Sequence, residues 1–172
     1  MTQTIDTVVT FLEMAAEPVH HFQPPSSLKI MLMRAEKPPI GFYRYLYDAV
    51  GGSHWWVDRK KLADPELADR IHAEGVDIWV LYVAGAPAGF FELAPADDGA
   101  VELEYFGLIP EFHGAGLGKW FLAEAIRAAW ARRPAKVTVE TCTLDGPAAL
   151  PLYQRLGFKP VGRKAKTMAG LE

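Results

Sequence analysis

The sequence predicts an α/β fold, α+β-like in character: a mixed, mostly antiparallel central sheet of about six or seven strands with helices on both faces. Three observations predict it. Between residues 76 and 108, three strand-like runs follow one another across short turns at Ala84-Gly85-Ala86-Pro87 and Asp97-Asp98-Gly99, the pattern of an antiparallel meander. The third run, Val101–Leu108, leads through a glycine-rich turn into an amphipathic helix and then into the alternating strand Lys136–Cys142. A strand, a helix and a second strand in that order permit a parallel crossover. Finally, the whole chain reads strand, strand, helix, helix, three strands, helix, strand, helix, strand.

Each element has a local reason. Thr7–Met14 is apolar and β-branched enough for a strand, and His20–Ser27, with Pro24-Pro25, reads as an irregular linker. Leu28–Met33 is a second strand. Pro38-Pro39 opens a helix, because proline suits a first turn, and Gly51-Gly52 stops it. Its expected buried stripe is Phe42, Leu46, Ala49 and Val50, which leaves Tyr43 and Tyr47 off the stripe. Asp64-Pro65-Glu66 starts the next helix, with Asp64 as the expected N-cap and an end near Gly75. Val76–Val83 and Ala88–Ala94 are hairpin partners. The helix from Leu117 to about Ala131 buries Leu117, Phe121, Leu122, Ala125, Ile126 and Ala129. Gly146–Leu156 is a short helix closed by Gly157, with Pro151 expected to delay its start or kink it. Phe158–Gly162 or a little beyond is the last strand.

Composition narrows the function. The chain has 172 residues, half of them hydrophobic and 12% aromatic, which excludes disorder as the main state. That length predicts one domain, 1–172. The net charge of −3 carries no basic signature for nucleic acid. Cys142 is the single cysteine, no apolar run approaches the roughly 20 residues of a membrane span, and the first residues lack the charged start of a secretory signal. A cytoplasmic protein without membrane partners is expected. His20-His21 has no Cys or carboxylate at metal spacing, so no metal is expected.

The turn His113-Gly114-Ala115-Gly116-Leu117-Gly118 places free backbone N–H groups at the positive end of a helix, a seat for phosphate. A Walker A loop is excluded: His113 stands where its first glycine belongs, and Trp120 replaces the magnesium-binding hydroxyl after Gly118-Lys119. The dinucleotide fingerprint is also missed, because Gly114, Gly116 and Gly118 are one residue short of its spacing. The third pattern is the acyl-CoA turn Gln/Arg-x-x-Gly-x-Gly/Ala. Here the chain resembles the GCN5-related N-acetyltransferase (GNAT) superfamily, with His113 at the position usually held by Gln or Arg. The resemblance extends over Tyr105–Phe112 before the turn and over Thr141–Phe158, which ends in the family's Tyr-x-x-x-Gly-Phe as Tyr153, Gly157 and Phe158.

The resemblance implies a GNAT fold over 1–172, with residues 1–27, less typical of it, as an N-terminal strand and linker addition; it also implies acetyl-CoA as acyl donor and direct acetyl transfer to a primary amine, expected to belong to a small molecule. It implies that Phe106, Gly107, Leu108 and Ile109 bond the pantetheine arm through their backbone. By the same resemblance His113 to Lys119 (His113, Gly114, Ala115, Gly116, Leu117, Gly118, Lys119) hold the pyrophosphate, and Asp145 caps the last helix or reaches the arm through water. Tyr153 is the implied general acid. A phenol stays protonated at neutral pH and can give its proton to a leaving thiolate. By period two, Glu102, Glu104 and Phe106 share one strand face, and either glutamate could take the amine proton; the resemblance favours Glu102. Tyr43, Tyr47, Trp55 and Trp56 are the candidate acceptor-binding wall. Cys142 reads as a small buried hydrophobe, with no histidine near in sequence to activate it. Two alternatives stay open: a non-catalytic CoA-binding or sensing module, and an enzyme acting on protein lysines or N-termini. GNAT dimers are common, so a homodimer is also open.

Overall fold

The computed structural model describes residues 3–170, so the first two and last two residues of the expected 1–172 domain lie outside the described residues. Seven strands form one mixed sheet. In chain order the elements are β1 (Thr4–Met14), β2 (Ile30–Ala35), α1 (Ile40–Gly51), α2 (Asp64–Ile71), β3 (Asp77–Val83), β4 (Ala86–Pro95) and β5 (Val101–Leu108). They continue with α3 (Gly118–Trp130), β6 (Val137–Cys142), α4 (Ala149–Arg155) and β7 (Lys159–Ala169). The strand order is β2-β3-β4-β5-β6-β1-β7. Every pair is antiparallel except β5 and β6, which are joined by the crossover helix α3.

The β3–β4 hairpin turns on Ala84 and Gly85, both at positive φ, as a two-residue loop requires to match the strand twist. Helices cover both faces and divide the core in two. On one face α3 packs Phe121, Leu122, Ala125 and Ile126 against Leu12, Phe91, Leu103 and Val139. On the other face α1 and α2 pack Leu46, Val50 and Leu67 against Ile78, Val80 and Phe90. No helix among the described residues is long and apolar enough to cross a membrane.

Several expectations need correction. The buried stripe of α1 is Tyr43, Leu46, Tyr47 and Val50, whereas Phe42 and Ala49 are only half-buried. Both stripes fit a helical period. Tyr43 wins because its hydroxyl donates to Glu92 at 2.6 Å, which removes the cost of burying a phenol. The N-cap of α2 is Ala63, not Asp64. Glu66 accepts from the Ala63 N–H at 3.0 Å, half of a capping box, and Asp64 pairs with Arg44 instead. Helix α4 starts at Ala149, three residues later than expected. Pro151 falls in its first turn, where an N–H has no intrahelical partner anyway.

Strand β7 runs eleven residues, well past Gly162, because it has a partner along its whole length. That partner is β1. It lies inside the sheet, with Val9–Met14 paired to β6 and Thr4–Glu13 paired to β7. The N-terminal strand is therefore a structural member of the sheet rather than an appendage to it.

Candidate active site

Strands β5 and β6 pair only from Val101–Leu103 to Val137–Val139 and then part. A β-bulge coincides with the parting. Leu93 pairs with Leu103 and Glu92 with Tyr105, so Glu104 has no partner on β4. The split opens into a cavity of about 960 Å³ that reaches both faces of the sheet.

The bulge corrects the expected faces. Before it, Val101 and Leu103 join the core beneath α3; after it, Phe106 and Leu108 pack there, against residues such as Phe121 and Tyr153. Glu104 meets Arg70 of α2, and Tyr105 packs on Tyr47 and Trp56. Glu102, Glu104 and Tyr105 thus share the α1 face, and Phe106 does not share it. The extra residue shifts the period-two alternation by one.

On the α3 face the cavity is lined by Phe106, Leu108, His113, Gly114, Gly116, Leu117, Gly118, Asp145 and Tyr153. The Ile109 N–H bonds the Ala88 carbonyl at 2.8 Å. By strand alternation, the N–H and C=O of Leu108 turn away from β4 toward the side that β6 has left. The His113 ring donates to that Leu108 carbonyl at 3.0 Å, so its side chain braces the strand end instead of reaching for a phosphate.

Beyond it, Gly114 and Gly116 stand at φ +75° and +78°, a left-handed conformation that suits glycine. Nothing lies within 4 Å of a Cβ built on Gly114. The Phe121 N–H makes the first backbone bond after the turn, to the Leu117 carbonyl. The N–H groups of Gly114 to Trp120 have no acceptor among the described residues. Seven donors at a helix N-terminus, in an open glycine turn, fit a pyrophosphate.

Tyr153 is buried in the core wall, edge-on to Phe158 and Phe106. Its hydroxyl makes no hydrogen bond within the described residues, although its residue lines the cavity. Burial, and then the nearby Asp145 carboxylate, hold its phenol above the ordinary tyrosine range. Asp145 does not cap α4: its carboxylate accepts from the Thr141 hydroxyl at 2.6 Å and the Cys142 N–H at 2.9 Å, closing the loop after β6. Cys142 is half-buried and lines the cavity.

On the α1 face the floor is Glu102, Glu104, Tyr105, Glu140, Val9, Lys166 and Met168, and the roof is His54, Trp55, Trp56 and Asp58. The roof is tied down at both ends. His54 bonds the Leu144 carbonyl at 3.3 Å, and Lys61 bonds the Ala169 carbonyl at 3.1 Å. Glu102 makes no hydrogen bond or ion pair among the described residues. Burial, then the Glu104 and Glu140 carboxylates, push its carboxyl up from the ordinary 4.5 to about 7, against a weaker pull from Arg70. Glu104, in contrast, is held by Arg59 and Arg70, each at 3.0 Å.

The cavity therefore gathers Tyr153, Glu102, Glu104, Tyr47, Trp55, Trp56 and most of the expected backbone segment. It does not gather Tyr43, Ile109, Ala115 or Lys119. Tyr43 and Ile109 are core residues, and the Lys119 ammonium lies over the Phe22 ring at 4.9 Å. Sequence reasoning missed Glu140, Tyr105, Arg59 and Glu92. Glu140 had a signal, since Thr138, Glu140 and Cys142 form the second face of an alternating strand. Glu92 had another: it is the lone charge in the apolar run Ala88–Ala94, and a buried carboxylate needs a partner. Among the described residues no group of three or more His, Cys, Asp or Glu side chains could hold a metal.

Comparison with known proteins agrees with this geometry. Among solved structures, the chain is similar to a functionally unknown conserved protein from Staphylococcus epidermidis, at 18% identity and a TM-score of 0.59, over 97% of this chain and 62% of that one. It is similar to a GCN5-related N-acetyltransferase from Kribbella flavida, at 16% identity and a TM-score of 0.59, over 98% of this chain and 60% of that one. It is also similar to the aminoglycoside N-acetyltransferase AAC(6')-Iy, solved in complex with CoA, at 18% identity and a TM-score of 0.60, over 83% of this chain and 95% of that one. The chain thus spans less than two thirds of the length of the first two, and at these identities the likeness shows the fold. No curated protein matches the chain. A sequence model of the acetyltransferase (GNAT) family matches residues 42–158, which hold the split strands, the glycine turn and Tyr153. With more than half of its length inside that match, the chain belongs to the GNAT acetyltransferase family.

Proposed function

We propose that the chain moves an acetyl group from acetyl-CoA directly to the primary amine of a small molecule. The observation that carries this reading is the split between β5 and β6, with free backbone donors and Tyr153 on one face and the raised carboxyl of Glu102 on the other. Acetyl-CoA supplies an acetyl group already activated as a thioester. The free N–H groups of Gly114, Gly116, Leu117 and Gly118, residues that line the cavity, hold its pyrophosphate, and the outward N–H of Leu108 lies along the open strand edge as a donor to the thioester carbonyl. Glu102 takes the proton of the attacking amine, a role that suits a carboxyl titrating near neutral pH. Tyr153 returns a proton to the leaving sulfur, and burial keeps its phenol protonated for that step.

The tied-down roof supports an acceptor small enough to lie between the two aromatic residues Trp55 and Trp56 and the carboxylate floor. The unbroken sheet supports reading residues 1–172 as one such domain.

Calorimetry of CoA and acetyl-CoA, followed by acetyl transfer to a panel of primary amines, tests the reading. Gly116→Glu places a carboxylate beside the free N–H groups and is expected to abolish binding. Tyr153→Phe is expected to lower kcat about 100-fold and to leave the KM for acetyl-CoA nearly unchanged. Wild-type protein that binds neither ligand overturns the reading. Binding without transfer to any amine leaves a CoA-binding module instead.

A further inference from the structure

Arg59 is the buried charge that the chemistry above does not use. It sits in the short 3-10 turn Arg59–Lys61 between α1 and α2, and is only 4% exposed. One terminal nitrogen of its guanidinium donates to Glu92 of β4 at 2.7 Å and forms an ion pair with Glu104 of β5 at 3.0 Å. Its Nε donates to the Tyr43 hydroxyl at 3.3 Å, and the guanidinium lies over the Tyr105 ring at 5.2 Å. Glu92 carries no exposure at all and has two donors, Arg59 and Tyr43. The turn itself is held from behind, because Arg44 donates to the carbonyls of Arg59 and Leu62.

The placement of these bonds matters more than their number. Glu104 is the residue of the β5 bulge that has no partner on β4. One side of the bulge carries Glu102, and the other carries Phe106 and Leu108 on the opposite face. A bulge bends a strand and re-aims the side chains that flank it, so whatever holds Glu104 sets both aims. Arg59 holds it from the stretch of chain that also supplies Trp55, Trp56 and Asp58 to the roof. A lysine would keep the charge but lose the Nε–H donated to Tyr43 and the planar group lying over Tyr105, which together fix where the charge sits between the two carboxylates.

Resting on the transferase reading above, we propose that Arg59 is a positioning residue for acetyl transfer. By bridging Glu92 and Glu104 it locks the β5 bulge, which aims Glu102 at the acceptor and turns Phe106 and Leu108 toward the acyl donor.

The charged and titratable groups that act on Glu102 are Glu104 on its own strand, Glu140 from β6 and Arg70 from α2. Arg59 reaches it through Glu104. Without Arg59, Glu104 keeps only the exposed Arg70, and its repulsion of Glu102 is less well compensated. The test uses Arg59→Met combined with Glu92→Met, because replacing both members of a buried ion pair by apolar residues preserves folding far better than removing one. Two quantities are read. One is the Glu102 titration in the free protein by carboxyl carbon NMR. The other is kcat against KM for acetyl-CoA.

The expected result is a folded protein whose Glu102 midpoint lies at least half a pH unit above the wild type, with kcat down about tenfold and KM within threefold. A folded double variant with the wild-type midpoint and wild-type kcat overturns the proposal. If the double variant does not fold, Arg59→Lys decides: lowered kcat in a protein of wild-type melting temperature supports the proposal, and wild-type kcat overturns it. If the wild type transfers no acetyl group, the transferase reading fails. The NMR midpoint still decides what Arg59 does to Glu102.

Discussion

Glu102 and Glu104 show how two carboxylates two residues apart acquire different properties. Glu104 lies between two guanidinium groups, whereas Glu102 meets two carboxylates and a partly closed cavity. The carboxyl raised to about 7 has to lose its proton to act as a base, so transfer is expected to rise with pH through about 7. Glu102→Gln is expected to remove that limb and to lower kcat by at least 100-fold, as read from a pH–rate profile. The same shift bears on stability. The folded chain holds this proton more tightly than the unfolded one, so the group favours the fold below about pH 4.5, and that contribution is lost as pH rises through 7. Glu102→Gln is therefore expected to raise the melting temperature relative to wild type at pH 8, and less so, or not at all, at pH 4.5. Equal differences at both values would mean that the shift is absent. The acidity of this pair was legible in the sequence. Their division was not, because Arg59 and Arg70 approach Glu104 from other parts of the chain.

At the scale of elements, β5 decides the site, and its constraints are steric as well as electrical. Gly107 follows the bulge on the α1 face, where a Cβ would overlap the Val50 side chain and approach Trp56. Only glycine lets α1 lie this close to β5, whose next residue, Leu108, carries the outward N–H. Gly107→Ala is expected to cost about 1–3 kcal/mol by overpacking, seen as a lower melting temperature. Acetyl-CoA binding should weaken with it; unchanged stability and binding would show that α1 yields freely. The helix at the glycine turn was fully legible: the turn residues, the apolar face and the following strand all stand in the sequence in order. The bulge was not. Val101–Leu108 alternates as though it were regular, and its break appears only in the pairing of Leu103 and Tyr105 with consecutive residues of β4.

Across the whole molecule, β1 completes the sheet from outside residues 42–158, the part that the family model matches. Strand β1 separates β6 from β7 and satisfies the backbone groups of both. It also puts Val9 in the cavity and orients Lys166 and Met168 of β7 toward the same floor. Leu12, 1% exposed, anchors it in the core beneath α3. Leu12→Ala is expected to cost about 2–5 kcal/mol in chemical denaturation, the range for truncating a buried leucine. A cost under 1 kcal/mol would mean that β1 is an accessory after all.

The sequence by itself determined the order of the elements, a mixed sheet with a helix between its two parallel strands, the glycine turn that opens that helix and the tyrosine carried by α4. Each of these is written in contiguous residues, through periodicity, glycine placement and caps, which act over a few ångströms of neighbouring chain. Only the tertiary structure decided where β1 inserts, which stripe of α1 is buried, and that Glu102 rather than Glu104 is left free. These depend on pairings between distant residues: Val9 with Cys142, Tyr43 with Glu92, and Arg59 with Glu104. A strand finds its neighbour through backbone groups that every residue shares, and a buried charge takes whichever partner the fold brings within about 3 Å, so neither choice leaves a local mark in the sequence.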